Sequence, residues 1–529
     1  MDENFASTWE AIADTVPDRI AVAYGDKTET WSELEDRAAR LASALASYGV
    51  GQGSFVAIDM WNCPENVETV FAAFKLRATP YNINYRYRET ELKYLFNDAK
   101  AVAVVFDPQL GERIAAVAAT LDHPMVLIET GSDVQTPGAV SLEQLIADHE
   151  PAPRIARSSD DDLVIYTGGT TGYPKGVVWS HFSAMNQGAL VDAVLPLEEH
   201  LEMVRTSKPP TALVIAPMMH ATGMFGTTST LTRGGRVVYC TSRSLNPKEI
   251  LHLIEQYQVV SFSVIGDAIA KPILEELDRA AEEGHPYDLS SVERVGNTGV
   301  FWSAPVKQGF LRHGSFVVAD GVASTEGSGF ASIESSSGDD IETAKFKLGK
   351  NARVVDENLH DVVPGSGQIG YLATTGMLPK GYLNDPERSA RTWPIIDGQR
   401  YSMPGDMAIL EADGTLILMG RGSEVVNTGG EKVFVEEVEQ AILTHPAVKD
   451  TLVVGVPDER WGSRVTGVVS LKEGAGVSER ELIDHVGEQL ADYKRPRQIV
   501  FVGEIPRSPT GKADRPSARK MALGESTGS

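Results

Sequence analysis

The strongest chemical signal in the sequence is a loop rich in glycine and threonine, residues 166–176 (YTGGTTGYPKG), which follows the apolar run DLVIY. Gly168, Gly169 and Gly172 let the backbone turn tightly and direct several N–H groups toward one point, which makes a nest for anions. Further donors flank these glycines: Thr167, Thr170, Thr171 and Lys175. Composition alone would fit a flexible surface loop equally well. The strand before the loop and the Pro-Lys-Gly after it favour a polyphosphate site.

Two common nucleotide-binding signatures do not describe this chain. The loop lacks the GK[ST] ending of the P-loop of nucleotide hydrolases. Residues 365–370 (GSGQIG) fit the GxGxxG pattern of dinucleotide-binding proteins, but they lead into an alternating strand. The helix N-terminus that binds pyrophosphate would then be missing, which argues against a dinucleotide site there.

The bulk composition bounds the class of protein. A chain of 529 residues predicts two or more domains, and a net charge of −25 argues against nucleic-acid or anionic-membrane binding. Cys63 and Cys240 have no neighbour at metal-ligand spacing and fit a reducing cytoplasm. We also expect no signal peptide, because the first residues are polar and acidic, and no membrane span, which would need about eighteen apolar residues in a row.

The elements that must position the loop alternate between strands and helices. Apolar β-rich runs recur between residues 101 and 322, with helical spacing between them, for example at 247–258. This alternation predicts an α/β fold of parallel sheets flanked by helices. Short alternating strands from 347 to 418 predict an antiparallel or barrel-like β subregion. The mixture of helices and strands after residue 420 predicts a small α+β domain, so we expect domains at 1–420 and 421–529.

Six further segments follow the loop in a fixed order. They are residues 216–220 (APMMH), 296–299 (GNTG), 324–327 (STEG), 401–406 (YSMPGD), 420–433 (GRGSEVVNTGGEKV) and 506–512 (PRSPTGK). Together with the loop they resemble the adenylate-forming superfamily, which includes acyl- and aryl-CoA synthetases, peptide-synthetase adenylation domains and luciferases. Residues 82–88 and 265–272 resemble an actinobacterial subgroup of acyl-CoA synthetases, some of which act on steroid side-chain acids.

The resemblance implies ATP, Mg²⁺ and CoA, and it assigns roles to residues of the large domain. Glu326 and Thr170 would hold Mg²⁺, Thr325 would contact the α-phosphate, and Asp406 would accept hydrogen bonds from the ribose. Without the resemblance, Glu326 would be read as a surface acid and Asp406 as a turn residue. The remaining nucleotide contacts that it implies are Gly299, Val300, Phe301, Asp320, Gly321, Val322, Ser324 and Arg421.

Lys512 is implied as the catalytic lysine of the small domain. Attack of a carboxylate on the α-phosphate brings two anions together, and a compact ammonium group could bridge them. Outside its SPTGK context, Lys512 would be read as a solvated tail residue.

The acyl pocket is expected next to the motif that ends at His220, which otherwise would be read as a core histidine. Small residues replace the aromatic residue that is usual just before STEG, and nearby methionines predict an apolar, adaptable lining. The predicted lining residues are Met219, His220, Met224, Phe225, Asp267, Gly299, Val322 and Ala323. No partner for an α-amino group is evident, which argues against an amino-acid substrate.

The small domain is implied to swing between two poses about a hinge at Ser423. The second pose would present a thiolation loop to the adenylate, with CoA contacts at Asn427, Gly429, Gly430 and Lys432. Ser423 departs from the Asp or Lys that is frequent at the hinge, and Val435 from a common proline.

These features predict an ATP-dependent ligase that converts a bulky or medium-to-long hydrophobic acid to acyl-AMP and then to an acyl-CoA. A steroid side-chain acid is one candidate substrate, and a homodimer is one candidate assembly. Two alternatives stay open: an adenylating enzyme that loads a carrier-protein thiol or forms an amide, and a binding protein without turnover. The simultaneous presence of Thr170, Glu326, Asp406, Arg421 and Lys512 argues against the binding protein.

Overall fold

A computed structural model describes residues 3–169, 172–187, 194–298, 302–339, 341, 345–421, 425–428, 431–458, 462–490, 492–507 and 513–525. Only the backbone is described at residues 168, 169, 172, 173, 328, 420, 421, 427, 431, 432 and 462. The chain forms two compact units. The first unit contains Met1–Arg353 and Ala373–Pro404, and the second contains Val354–Leu372 and Gly405–Ser529.

Several helices begin where the sequence supplies a capping side chain. Thr30 and Glu33 form a reciprocal capping box, and Asn246 caps a helix whose first residue is proline. The helices are α1 (Phe5–Thr15), α2 (Trp31–Ser47), α3 (Pro64–Lys75), α4 (Glu89–Ala99), α5 (Gly111–Ala118), α6 (Leu142–Asp148), α7 (His181–Met185), α8 (Leu197–Thr206), α9 (Ala221–Thr232), α10 (Pro247–Tyr257), α11 (Gly266–Glu282), α12 (Ala304–Leu311), α13 (Pro386–Thr392), α14 (Val435–Leu443), α15 (Glu479–Gly487) and α16 (Arg515–Leu523). Within the described part of the chain, no helix combines the length and apolarity that a membrane span needs.

Short strands alternate with these helices through most of the chain. They are β1 (Ile20–Tyr24), β2 (Lys27–Thr30), β3 (Phe55–Asp59), β4 (Thr79–Asn82), β5 (Ala103–Phe106), β6 (Val126–Glu129), β7 (Val140–Ser141), β8 (Asp162–Gly169), β9 (Gly172–Ser180), β10 (Thr211–Leu213), β11 (Arg236–Tyr239), β12 (Ser261–Val264), β13 (Arg294–Thr298), β14 (Val317–Ser324), β15 (Gly327–Ser335), β16 (Lys345–Leu348), β17 (Ala352–Val355), β18 (Ile369–Thr374), β19 (Gly381–Tyr382), β20 (Ile395–Ile396), β21 (Gln399–Arg400), β22 (Asp406–Leu410), β23 (Thr415–Arg421), β24 (Val425–Thr428), β25 (Glu431–Phe434), β26 (Val448–Asp458), β27 (Gly462–Leu471) and β28 (Gln498–Phe501).

Two mostly parallel sheets form the first unit. One sheet has the order β19-β9-β8-β4-β3-β5-β6-β7, with β8 through β7 parallel and the β8–β9 and β9–β19 pairs antiparallel. In the other, β14, β13, β12, β10, β11 and β1 are parallel neighbours, β15 pairs antiparallel with β14, and β2 is an antiparallel edge strand beside β1. The predicted α/β class is confirmed. Because β12, β13 and β14 are parallel, their carboxyl ends share one sheet edge, where such folds bind ligands.

The core of the first unit lies where helices cover the sheets. Trp9, Trp31, Phe71 and Phe74 are fully buried where α1, α2 and α3 pack beside the first sheet. A separate apolar cluster covers the other sheet and includes Leu251, Ile273 and Phe310 from α10, α11 and α12. Helices therefore cover both parallel sheets, as buried parallel sheets require.

The second unit combines antiparallel strands with a small α+β body. β22 pairs antiparallel with β18 and with β23, as the alternating pattern predicts. Residues 365–370 lead into strand β18, not into a helix. β24 and β25 form a hairpin, and β27 pairs antiparallel with β26 and parallel with β28. The apolar faces of α14 and α15 share a buried cluster with these strands, and α16 packs on β26.

Candidate active site

The glycine–threonine loop lies at the tip of an antiparallel hairpin. β8 pairs with β9 so that Thr167 lies opposite Lys175 and Gly169 opposite Gly172. Thr170 and Thr171 lie outside the described residues. β8 is also parallel to β4, so its last residue, Gly169, lies at the carboxyl edge of the first sheet. Partly exposed Thr167 and Lys175 therefore flank the tip at an edge suited to phosphate.

The turn between β14 and β15 presents Glu326, the predicted Mg²⁺ ligand. Its side chain is 9% exposed, and its Oε1 accepts a hydrogen bond from the phenol of Tyr382 at 3.0 Å. Its backbone carbonyl accepts hydrogen bonds from Trp393 Nε1 at 2.8 Å and Ser402 Oγ at 2.7 Å. Trp179 Nε1 donates to the carbonyl of Thr325 at 3.1 Å. Side chains distant in sequence therefore fix this turn on all sides.

The donor chemistry of this turn suits a metal–triphosphate complex. A carboxylate is the hard oxygen ligand that Mg²⁺ prefers. Ser324 Oγ is buried and, among the described residues, has no hydrogen-bond partner, so a ligand oxygen could satisfy it. Gly327 allows a close approach here, since an added Cβ would lie 2.8 Å from Ser402 Oγ. Glu326 would hold Mg²⁺, which would supply charge neutralisation at the phosphates.

A buried polar network includes Asn297 of the segment 296–299, which the resemblance implies to be the adenine-side loop. Asn297 on β13 and Asp320 on β14 are register partners. Asn297 Nδ2 donates to Asp320 Oδ1, and Asn297 Oδ1 accepts from the backbone N–H of Gly266 at 2.7 Å. The other oxygen of Asp320 pairs with Lys307 of α12, whose side chain is 4% exposed. The carboxylate of Asp320, predicted as a nucleotide contact, is therefore engaged inside the protein, while its neighbours Gly321 and Val322 are partly exposed.

Several predicted residues of this side cannot be placed. Gly299, Val300 and Phe301 lie outside the described residues. Sequence reasoning missed Lys307, because a single lysine on a short apolar helix carries no motif. The available signal was its position on a largely apolar helix, where a buried lysine needs an acidic partner.

The acyl side is organised around His220, which is the N-cap residue of α9 and is partly exposed. The loop before it is held by two asparagines of the other sheet, Asn62 after β3 and Asn82 at the end of β4. Asn62 Nδ2 donates to the carbonyls of Val214 and Ala216, and its Oδ1 accepts from the N–H of Met218. Asn82 Nδ2 donates to the carbonyl of Met218 at 2.5 Å. Neither asparagine was assigned this role from sequence.

The predicted lining residues divide into core and exposed groups. Met219 and Met224 are 3% and 0% exposed, so they belong to the buried core, as does the neighbouring Met218 at 1%. Phe225 is partly exposed and meets Trp179 edge-on at 5.4 Å. Val322 and Ala323 also retain exposed surface.

The start of α9 lies beside the end of β13. Thr222 Oγ1 is 3.4 Å from Thr298 Oγ1, so the acyl motif and the adenine-side motif meet. Asp267, a predicted pocket residue in the first turn of α11, accepts from the N–H of Ser303 at 2.9 Å and pairs with Lys271 at 3.0 Å. Asp267 therefore also holds the start of α12 in place.

The second unit brings the backbones of two predicted nucleotide contacts together. Asp406 begins β22, and Arg421 ends β23 directly opposite it in the register. In the hairpin β24–β25, Asn427 is the partner of Lys432, so these two thiolation-loop residues flank the tip. Ser423, Gly429, Gly430 and Lys512 lie outside the described residues, and their predicted roles stay predictions.

Comparison with known proteins identifies relatives along nearly the whole chain. The family profile described as AMP-binding enzyme matches residues 9–383, and that described as AMP-binding enzyme C-terminal domain matches residues 437–512. The 3-oxocholest-4-en-26-oate–CoA ligase of Rhodococcus rhodochrous is 37% identical over 97% of this chain and 95% of the relative. Medium-chain acyl-CoA ligase Mig of Mycobacterium avium is 38% identical over 97% of each chain.

Solved structures show the same fold at lower identity. The anthranilate CoA ligase AuaEII in complex with anthranoyl-AMP superposes with a TM-score of 0.84 at 23% identity, over 99% of this chain and 98% of that one. ATP-bound MatB from Rhodopseudomonas palustris superposes with a TM-score of 0.81 at 24% identity, over 98% and 99% of the two chains. The fold and the resemblance predicted from the sequence motifs are thus confirmed.

Proposed function

Because the chain belongs to the family of AMP-binding enzymes, we propose that it is an AMP-forming acyl-CoA ligase for a bulky or medium-to-long hydrophobic acid. The observation that carries the proposal is identity of 37–38% over 97% of this chain to ligases named for a steroid side-chain acid and for medium-chain acids. A steroid side-chain acid is the first substrate to test.

The chemistry has two steps. The substrate carboxylate attacks the α-phosphorus of ATP, the bond between the α- and β-phosphates breaks, and acyl-AMP and pyrophosphate form. The thiol of CoA then loses its proton and attacks the acyl carbonyl, and AMP leaves. Both steps develop negative charge in a protein whose net charge is −25, so the site needs local donors.

Each predicted site residue has a role in this scheme. The hairpin of Thr167 and Lys175 would bind the triphosphate, with Thr170 and Glu326 on Mg²⁺. Lys512 would bridge the carboxylate and the α-phosphate, and His220 would lie between the acyl pocket and the reacting carboxylate. Support comes from Glu326 and Lys175 both lying at carboxyl edges of parallel sheets in the first unit.

The acyl pocket supports a bulky acid. Val322 and Ala323 are small, partly or fully exposed residues at the point where β14 ends. Phe225 adds partly exposed aromatic surface at the start of α9. Small residues at the end of β14 and a partly exposed aromatic ring on α9 support a wide hydrophobic substrate.

We further propose that residues 421–529 form a domain that turns about Ser423 and presents Lys512 in the first step and the loop around Gly430 in the second. The cytoplasm is the proposed location because Cys63 and Cys240 are both free thiols. A homodimer is the proposed assembly to test by light scattering.

The deciding experiment measures pyrophosphate release from a panel of acids with and without CoA, together with thioester formation. We expect both products with steroid side-chain and medium-to-long-chain acids. If pyrophosphate is released but an acyl product forms only when a carrier protein or an amine is added, the alternative adenylating enzyme is favoured. Absence of release with every acid would overturn the proposal.

Half-reactions test the moving domain. Lys512→Ala should block adenylation while supplied acyl-adenylate is still converted to thioester, and Gly430→Leu should do the reverse. Loss of a preorganised donor costs about 2.7–4 kcal/mol of barrier, so the expected fall in adenylation is about 100- to 1,000-fold. Equal damage by both variants to both steps would contradict the two-pose account.

A further inference from the structure

Tyr382 connects the two elements that would bind the metal–triphosphate complex. It ends β19, which pairs with β9 so that Tyr382 lies opposite Val177, two residues beyond Lys175. Its phenol donates to Glu326 Oε1 at 3.0 Å, across 56 positions of sequence. Its ring centroid lies 5.3 Å from Lys175 Nζ, a distance at which a cation is attracted to an aromatic face. One side chain thus contacts both the predicted Mg²⁺ ligand and the cation of the phosphate hairpin.

The surroundings of Tyr382 keep it in one place. The residue is 9% exposed, and its backbone N–H donates to Ser389 Oγ at 2.8 Å. Its ring packs on that of Trp393 with centroids 4.8 Å apart, and the same Trp393 donates to the carbonyl of Glu326. The phenol therefore meets a carboxylate whose own backbone is anchored by the neighbouring ring.

A carboxylate that binds a metal through one oxygen needs its other oxygen held, because free rotation would lower the fraction of time spent in the binding geometry. A phenol O–H is suited to this task, since it donates one hydrogen bond without adding charge that would compete with the metal. The ring also limits the directions open to Lys175.

We propose that Tyr382 is a positioning residue for metal–triphosphate binding, which orients Glu326 through its hydroxyl and Lys175 through its ring. The proposal rests on the proposed function only in taking Mg²⁺–ATP as the ligand. It assigns Tyr382 no contact with the reacting atoms, so its effect should appear in metal and ATP affinity before it appears in the later thiol step.

Tyr382→Phe separates the two contacts, because it removes the hydroxyl and keeps the ring. Electron paramagnetic resonance can measure Mn²⁺ binding to the full-length protein in the presence of a non-hydrolysable ATP analogue. In Tyr382→Phe the Mn²⁺ affinity should fall about 10-fold, the lower end of the range for loss of a group that hydrogen-bonds to a metal ligand. The Mg²⁺ midpoint for adenylation should rise by a similar factor. Conversion of supplied acyl-adenylate to thioester should be unchanged.

A matched control is available in Tyr287, whose phenol donates to Glu276 Oε1 at the same 3.0 Å, outside the candidate site. Tyr287→Phe deletes the same type of hydrogen bond and should leave Mn²⁺ binding and the Mg²⁺ midpoint at wild-type values. Tyr382→Leu removes the ring as well, so the KM for ATP should rise further than in Tyr382→Phe.

Mn²⁺ binding by Tyr382→Phe equal to that of wild type, in a protein of unchanged unfolding midpoint, would overturn the proposal. A general loss of both half-reactions in Tyr382→Phe would do so too, because it would indicate a structural role alone. The binding measurement needs neither acid nor CoA. A failure to find any acid substrate would therefore count against the proposed function, but the Mn²⁺ binding of Tyr382→Phe could still be interpreted.

Discussion

Asn62 Oδ1 accepts a hydrogen bond from the backbone N–H of Met218 at 2.7 Å. The amide nitrogen of the same side chain donates to the carbonyls of Val214 at 3.1 Å and Ala216 at 3.0 Å. One side chain therefore satisfies three backbone groups of the loop that ends at His220. Asn62 follows β3 of the first sheet, whereas the loop follows β10 of the second. The relationship ties the predicted acyl motif of one sheet to the framework of the other.

Asn62→Ala should loosen the loop before His220. Buried backbone groups lose their partners, at a cost of about 1–3 kcal/mol for each group left unsatisfied. We expect a KM for the acid about 10-fold higher, with a smaller change in the KM for ATP. Steady-state kinetics and thermal unfolding would measure both effects.

Asn66→Ala is the matched control, because Asn66 is 1% exposed in the first turns of α3 and its Oδ1 has no partner among the described residues. Equal changes in acid KM for the two variants would contradict a specific role for Asn62.

Lys307→Met should destabilise the protein through Asp320. The two residues are 3% and 9% exposed, so the variant leaves a buried carboxylate without its cation. Breaking such a pair costs about 3–5 kcal/mol. Chemical unfolding of the single variant should show this loss of stability. Steady-state kinetics should show an increased KM for ATP.

The double variant Lys307→Met with Asp320→Asn completes the cycle. It removes both charges, so much of the lost stability should return. Additive losses in the double variant would show that the buried pair is not the source of the effect.

Asp59→Asn should change how stability depends on pH. Burial raises the pKa of Asp59 to about 7, although Arg113 lies 3.9 Å away, and both carboxylate oxygens are buried without hydrogen-bond partners among the described residues. The unfolded chain releases this proton at a pKa of about 3.9. The folded state therefore holds the proton more tightly, and stability from this group falls as pH rises between these two values.

Asparagine cannot ionise, so the stability of Asp59→Asn relative to wild type should rise by about 2 kcal/mol from about pH 5 to about pH 7. Urea unfolding at both pH values would measure it. Asp122→Asn serves as control, because its carboxylate side chain is 93% exposed and a hydrogen bond with His123 lowers its pKa. If the difference in the free energy of unfolding between Asp59→Asn and wild type did not change with pH, the ionisation of a buried Asp59 would be ruled out.

Gly223→Ala and Gly226→Ala should have opposite effects within α9. A Cβ on Gly223 would lie 2.2 Å from the carbonyl oxygen of Pro217, so the loop before His220 must move. Overpacking of this kind costs about 1–3 kcal/mol. The nearest atom to a Cβ on Gly226 is 3.9 Å away, and alanine there should add up to about 1 kcal/mol of helix stability. The melting temperature should fall in Gly223→Ala and rise in Gly226→Ala. A Gly223→Ala protein with the melting temperature and acid KM of wild type would contradict the tight contact.

Local patterns were sufficient where neighbouring residues decide the structure. The predicted helix at 247–258 is α10, Pro247–Tyr257, because an asparagine cap, a first-turn proline and an apolar face coincide there. The glycine-rich loop follows a strand as expected. Its return as an antiparallel strand was not foreseen, because the partner in a hairpin depends on hydrogen bonds between two segments.

The sequence by itself determined the family, the order of the motifs and the alternation that builds the parallel sheets, because these depend on residue type and on spacing along the chain. Only the tertiary structure decided which polar atoms meet. Asp320 pairs with Lys307, and Glu326 receives the phenol of Tyr382, through contacts between residues that no local period connects. A buried polar group must find its partner wherever the packed elements bring a donor within about 3 Å, and that position is a property of the assembled sheets and helices.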